Sequence, residues 1–222
     1  MAGRLDGSTV LVIGGTRRLG AAIASAAASE GARVSVSSHR PEGDDVLDID
    51  LRDEASVAAA ADRLGAVDHV VSTAGMGYRA PIAQMDLARV QEAFSAKITG
   101  PLLIAKHFDI RTSLTFFSGQ VAWRPGPGTW PTGIANGALS FTATHLAAEL
   151  APVRVNTLSP GIVDSGSWDD HGAAKGEFLQ AAAQRTLVGS TGTPGDIVQA
   201  VLWILTAPFL TGETIRLDGG RR

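Results

Sequence analysis

Cysteine is missing altogether from this chain of 222 residues, which removes disulfides, thiolate nucleophiles and zinc–thiolate centres together. Any redox chemistry must then come from a bound cofactor. Aromatic side chains are scarce at 5%, and tyrosine occurs once, at Tyr78. No apolar run reaches the roughly 18 residues that a membrane-spanning helix needs, and the opening MAGRLDGSTVLV lacks the layout of a signal peptide. A cytoplasmic protein with no membrane partner is expected. Charge is thin and balanced: 19 basic against 22 acidic residues leave -3, with no basic run able to release counterions from nucleic acid. The 5 histidines show no paired ligand spacing, so no metal site is expected either.

What is present is apolar residue in quantity, 45% of the chain, enough for the core of one domain over residues 1–222. Short valine and isoleucine runs alternate with alanine-rich stretches of helical period, the pattern of a doubly wound α/β fold with a parallel sheet and helices on both faces. Seven strands are predicted, over Thr9–Ile13, Arg33–Ser37, Val46–Ile49, His69–Ser72, Ser113–Phe117, Val153–Leu158 and Glu213–Leu217. Helices are predicted for LGAAIASAAASEG and near Glu54–Leu64, Leu87–Phe108, Ile134–Leu150 and Pro194–Thr206. Thr193 before Pro194 reads as a helix cap, and Gly100-Pro101 as a kink.

The first chemical signal is GGTRRLG, Gly14 to Gly20, between the first strand and the first helix. Glycine permits a tight turn and close backbone approach there, and a helix N-terminus offers unpaired N–H groups to a pyrophosphate. Thr16, Arg17, Arg18 and Leu19 belong to the same turn, with two added positive charges. At the end of the second strand, where an acid would hold the ribose hydroxyls of NAD, stand Ser38, His39 and Arg40. A missing acid beside cations favours a 2′-phosphate, hence NADP(H) over NAD(H).

Together these residues resemble the short-chain dehydrogenase/reductase family over nearly the whole chain. Gly14, Gly15 and Gly20 match its glycine-rich turn, although the usual middle glycine is Arg18. Asp50 and Leu51 match its adenine-contacting pair. STAG matches the family's Asn-Asn-Ala-Gly, with Thr73, Ala74 and Gly75 toward the cofactor. RVNTLSPGIVDS matches the sixth strand and the turn beside the nicotinamide, with Pro160, Gly161, Ile162 and Val163 as contacts, and TGETIRLDGG the last strand. The resemblance implies an oxidoreductase of small molecules, assembled as a homodimer or homotetramer through the fourth and fifth helices.

The catalytic segment departs from that family. Aligned on NGAL, Gly119 stands at the serine position, Thr132 at the tyrosine and Asn136 at the lysine, while Lys97 replaces the upstream asparagine. No lysine occurs between Lys106 and Lys175 to repair this by an alignment shift. Candidate replacements are Lys97, as a cation holding the nicotinamide ribose or assisting the reacting oxygen, Ser118 as a donor, and Tyr78 or Arg79 as a displaced acid; each is also readable as a surface, capping or loop residue. Trp123 and Trp130 flank RPGPG and read either as the rim of an apolar or aromatic substrate pocket or as core closure. Trp168, Asp169, Asp170 and His171 fall in what resembles the mobile lid, and His145 in a helix face. An atypical NADP(H) oxidoreductase is the leading reading; a non-redox cyclase or lyase, and a dinucleotide-binding sensor, are the alternatives.

Overall fold

In the computed structural model, which describes residues 3–75 and 77–221, the valine and isoleucine runs become seven parallel strands. These are β1 (Thr9–Ile13), β2 (Arg33–Ser38), β3 (Val46–Asp48), β4 (Val67–Ser72), β5 (Ile110–Phe117), β6 (Arg154–Pro160) and β7 (Thr214–Leu217). Their order across the sheet is β3-β2-β1-β4-β5-β6-β7, so the winding reverses between β1 and β4. The carboxyl ends of those two strands part around a crevice, the place where open α/β sheets receive ligands.

Helices α1 (Arg18–Ser29), α2 (Glu54–Leu64), α3 (Leu87–Phe94), α4 (Gly100–His107), α5 (Trp130–Glu149), α6 (Lys175–Ala183) and α7 (Pro194–Thr206) cover both faces. The alternation along β1 shows why both faces are apolar. Leu11 and Ile13 pack with Val57, Ile104 and Leu139 of α2, α4 and α5. Val10 and Val12 pack with Ile23 of α1 and Ile197, Val201 and Ile204 of α7. A strand buried on both sides reads as a continuous hydrophobic run. The expected cap of α7 is present as a capping box between Thr193 and Asp196, followed by Pro194.

The predicted helix Leu87–Phe108 is not continuous. A π-helical turn, Ser95–Thr99, separates α3 from α4, and the Gly100 N–H donates to the Ser95 carbonyl five residues back. Pro101 has no N–H to give the Lys97 carbonyl, so the regular ladder cannot pass this point. A side chain at Gly100 would lie 2.7 Å from Leu51 Cβ, so glycine also lets the turn settle onto Leu51. Helix α5 begins at Trp130 rather than Ile134, because Pro131 fits the first helical turn. Helix α6 and short 3-10 turns at Ile82–Gln84, Gln120–Ala122 and Asp169–Ala174 were not foreseen. Among the described residues no helix is long and apolar enough to cross a membrane, and no cluster of three or more His, Asp or Glu could hold a metal.

Candidate functional site

A cavity of about 540 Å³ opens at the carboxyl ends of β1, β2 and β4. Its first wall is the glycine-rich turn, contributed by Gly14, Thr16, Arg17, Arg18, Leu19 and Gly20. Gly14 has φ of 76°, and a Cβ there would meet Thr73 Oγ1 at 2.9 Å. At Gly20 a Cβ would stand 2.0 Å from the Gly14 carbonyl oxygen, so the helix can approach the turn only as glycine. Thr73 anchors the opposite side by donating its hydroxyl to the Ile13 carbonyl at 3.1 Å. Helix α1 starts with no side-chain cap on its N–H groups, leaving them to the cavity side. Arg18, where the family has glycine, takes φ of 51°, a left-handed conformation that costs a side-chain-bearing residue about 1–2 kcal/mol.

The second wall is the end of β2 and the segment after β3. Ser38, His39, Arg40, Asp50 and Leu51 all line it, as expected, and Arg52 joins them. Arg52 grips Asp50 through two charge-assisted bonds of 2.9 and 2.6 Å, and this holds the Asp50 carboxyl down to about 2. The Ser38 hydroxyl closes a local turn, accepting from the Arg40 N–H at 3.1 Å. Arg17, Arg18 and Arg40 form no ion pair among the described residues, whereas Arg52 is paired. Three uncompensated guanidinium groups around a glycine cradle suit the phosphates of a dinucleotide; that is the chemistry of the donor set. Arg52 escaped the sequence reading, although its spacing from Asp50 was visible.

The floor is formed by Thr73, Ala74, Gly75, Ala96 and Phe117. Lys97 lies directly beneath it. Its ammonium donates a short hydrogen bond to the Phe117 carbonyl, and a Cβ on Gly75 would fall 2.3 Å from Lys97 Cε. Burial lowers the Lys97 amine to about 8, because the charged form loses hydration. The π turn is what seats it: the extra residue in the turn rotates Lys97 toward the ends of β4 and β5.

The other catalytic candidates are engaged elsewhere. Ser118 is buried, and its hydroxyl donates to the Asn136 carbonyl at 2.9 Å. A Cβ at Gly119, where the family has serine, would stand 3.1 Å from Asn136 Nδ2, a tight contact that the amide would have to ease. The Thr132 hydroxyl donates to the Tyr78 carbonyl at 2.7 Å and accepts from the Tyr78 N–H at 3.1 Å, pinning the loop after β4 to α5. Tyr78 is corrected from displaced acid to core residue: it packs with Val90 and Ala93, Arg89 covers its ring, and its hydroxyl accepts from the Asp86 N–H at the start of α3. An amphipathic ring on the loop closes an apolar cluster. Arg79 and His145 are exposed. The indole N–H groups of Trp123, Trp130 and Trp168 donate to Ser159 Oγ and to the carbonyls of Ala80 and Val163.

The turn after β6 faces a different cavity. Gly161, Ile162 and Val163 line a second cavity of about 340 Å³, with Gln120, the Thr191–Gly192 segment and the chain end at Asp218–Arg221, while Pro160 lines neither cavity. A Cβ at Gly161 would lie 2.8 Å from Asp218 Cα, so the turn is drawn toward β7. Of the lid, Ser167 alone reaches the first cavity, while His171 stacks on Phe178 and Trp168 packs against both at a tilt.

Comparisons with known proteins agree with this architecture. A family model described as Enoyl-(Acyl carrier protein) reductase matches residues 14–222. The short-chain dehydrogenase/reductase ucsE of Acremonium sp is 31% identical over 99% of this chain and 97% of its own length. The 3-oxoacyl-(acyl-carrier-protein) reductase MabA of Mycobacterium tuberculosis is 30% identical over 96% of this chain and 92% of its own. A small-chain dehydrogenase solved in complex with NADPH superposes with a TM-score of 0.87 at 30% identity, covering 97% of this chain and 98% of that one. The MalC reductase/Diels-Alderase of Malbranchea aurantiaca superposes with a TM-score of 0.89 at 26% identity, covering 99% and 98%. With the glycine cradle, the reversed sheet and these relatives in agreement, the chain belongs to the short-chain dehydrogenase/reductase family of oxidoreductases.

Proposed function

We propose that this protein transfers hydride between NADP(H) and a small carbonyl or alcohol substrate, with Lys97 as the positive charge that the family draws from its tyrosine and lysine. The observation that carries the reading is the Lys97 ammonium wedged between Gly75 and the Phe117 carbonyl, directly beneath the floor of the cofactor cavity. Asparagine and lysine have in effect exchanged places: the lysine moved to the π turn, and Asn136 took its old position on α5. Bound NADPH supplies the hydride. Gly14 and Gly20 admit its pyrophosphate, Arg17 and Arg40 pair with the 2′-phosphate, and Lys97 lowers the energy of an oxyanion at the cavity floor. Selection of NADP(H) over NAD(H) is supported by Ser38, which offers no carboxylate to the ribose. Trp123 and Trp130, which flank RPGPG, support an apolar or aromatic substrate. Assembly as a homodimer or homotetramer is supported by the exposed apolar side chains Ile134 and Phe141 of α5.

A non-redox reaction on the same scaffold is the second reading. It is favoured by the Ser118 and Thr132 hydroxyls, which both donate to backbone carbonyls, and by the burial of Tyr78. A relative that carries both a reductase and a Diels-Alderase in its description lends it weight. A panel of ketones and aldehydes incubated with NADPH separates the two. Loss of reduced nicotinamide absorbance in step with alcohol formation is expected; product without NADPH consumption would move the protein to the second reading.

A further inference from the structure

Arg18 holds a backbone conformation that glycine would hold without strain, and its side chain explains why an arginine is there. The lid between β6 and α6 passes directly over it. A Cβ on Gly166, itself at φ of 84°, would come within 3.8 Å of Arg18 Cγ, and the next residue, Ser167, lines the cofactor cavity together with Arg18. The lid is acidic, with Asp164, Asp169 and Asp170. Lys175 pairs with Asp164 and with Asp169, both at 2.8 Å, which ties the two limbs of the lid to each other but not to the cavity. The Arg18 guanidinium makes no ion pair among the described residues. The Asp169 carboxyl is held below its usual range chiefly by Lys175 and, through space, by Arg18.

We propose that Arg18 is the positioning residue that couples the lid to a bound dinucleotide, standing between the pyrophosphate and the acidic segment 164–170. An acidic lid closing over a pyrophosphate would be repelled, and one cation between the two removes that repulsion. A ligand shifts a lid only if it interacts differently with the open and closed positions, and Arg18 touches both partners. The role differs from that of Arg17 and Arg40, which serve the 2′-phosphate, so Arg18 contributes equally to NADPH and NADH. This inference rests on the dinucleotide-binding reading above.

The test compares the full-length protein with Arg18→Gly, which relaxes the backbone, and with Arg18→Gln, which keeps the side-chain bulk without the charge. NADPH and NADH dissociation constants are measured by fluorescence titration, and deuterium exchange of segment 164–174 is followed with and without saturating NADPH. Both variants are expected to bind NADPH and NADH about tenfold more weakly with the ratio between them unchanged. At saturation the turn at 14–20 stays protected, while protection of 164–174 drops toward the ligand-free level. Equal lid protection in the variants and the parent protein would overturn the coupling, as would a selective loss of NADPH affinity, which would assign Arg18 to the 2′-phosphate. If the parent protein binds neither dinucleotide, the functional reading itself fails together with the inference.

Discussion

Under the proposed reading, single side chains decide which dinucleotide this crevice takes. Arg40→Asp combined with Arg17→Ala replaces two unpaired cations at the cavity by one anion, and affinity titration should show the NADPH preference reduced by at least about tenfold while NADH is little affected. An unchanged ratio would remove the 2′-phosphate assignment. His69 governs a different property. It is buried in β4, with Nδ1 2.8 Å from Ser113 Oγ, and burial lowers it to about 4, with the nearby Arg154 charge adding to the effect. Between the ordinary value near 6.5 and about 4 the unfolded chain takes up a proton that the folded one refuses, so stability falls as pH drops through that window. The full loss is roughly 3 kcal/mol, from about 1.4 kcal/mol per unit. Urea unfolding at pH 7 and pH 4.5 checks it, with His69→Gln expected to lose less stability between the two than the parent.

At the scale of elements, two joints hold the site in place, the π turn between α3 and α4 and the end of α7. Arg154 serves the second: its guanidinium donates to the carbonyls of Ile204 at 3.0 Å, Leu205 at 2.7 Å and Leu210 at 3.3 Å, closing the last turn of α7 from within β6. Asn156 continues the seam, donating to Leu210 and accepting from the Glu213 N–H. Arg154→Met should destabilise the protein by on the order of 3 kcal/mol, read from the denaturant midpoint, because the buried carbonyls are left unpaired. The strands and most helices were legible in the sequence, because valine–isoleucine runs and alanine periods are local signals. The glycine turn was legible too, since only glycine fits at Gly14 and Gly20. The π turn was visible only as a kink at Gly100-Pro101, because its consequence, the aim of Lys97, depends on packing against Leu51 and β5. The burial of Tyr78 and the packing of the turn after β6 against β7 left no local signal, because a loop's neighbours are tertiary facts. Arg52 and the seam from Arg154 to α7 were missed, since pairing across distant elements leaves no pattern in a single sequence.

For the whole molecule, the outward face of α5 leaves apolar side chains without a partner among the described residues. Phe141 is 73% exposed and Ile134 53%, and Leu102 of α4 is exposed as well. A Cβ at Gly137 between them would meet nothing within 4 Å, so a second helix can approach closely. Light scattering at micromolar concentration should report a dimer or tetramer, and Phe141→Asp should shift it toward the monomer. A monomeric parent protein would contradict this.

The central claim is that a lysine displaced to the π turn supplies the charge this family takes from another helix. Its direct test is the pH dependence of kcat/KM for NADPH-dependent reduction of a carbonyl substrate by the parent protein and by Lys97→Met. The ammonium is the effective form and titrates near 8, so the parent rate should be level below that pH and fall above it. Lys97→Met should be slower by roughly 100-fold at pH 7 and should lack that falling limb. A variant with full rate, or one that keeps the same limb, would contradict the assignment of Lys97.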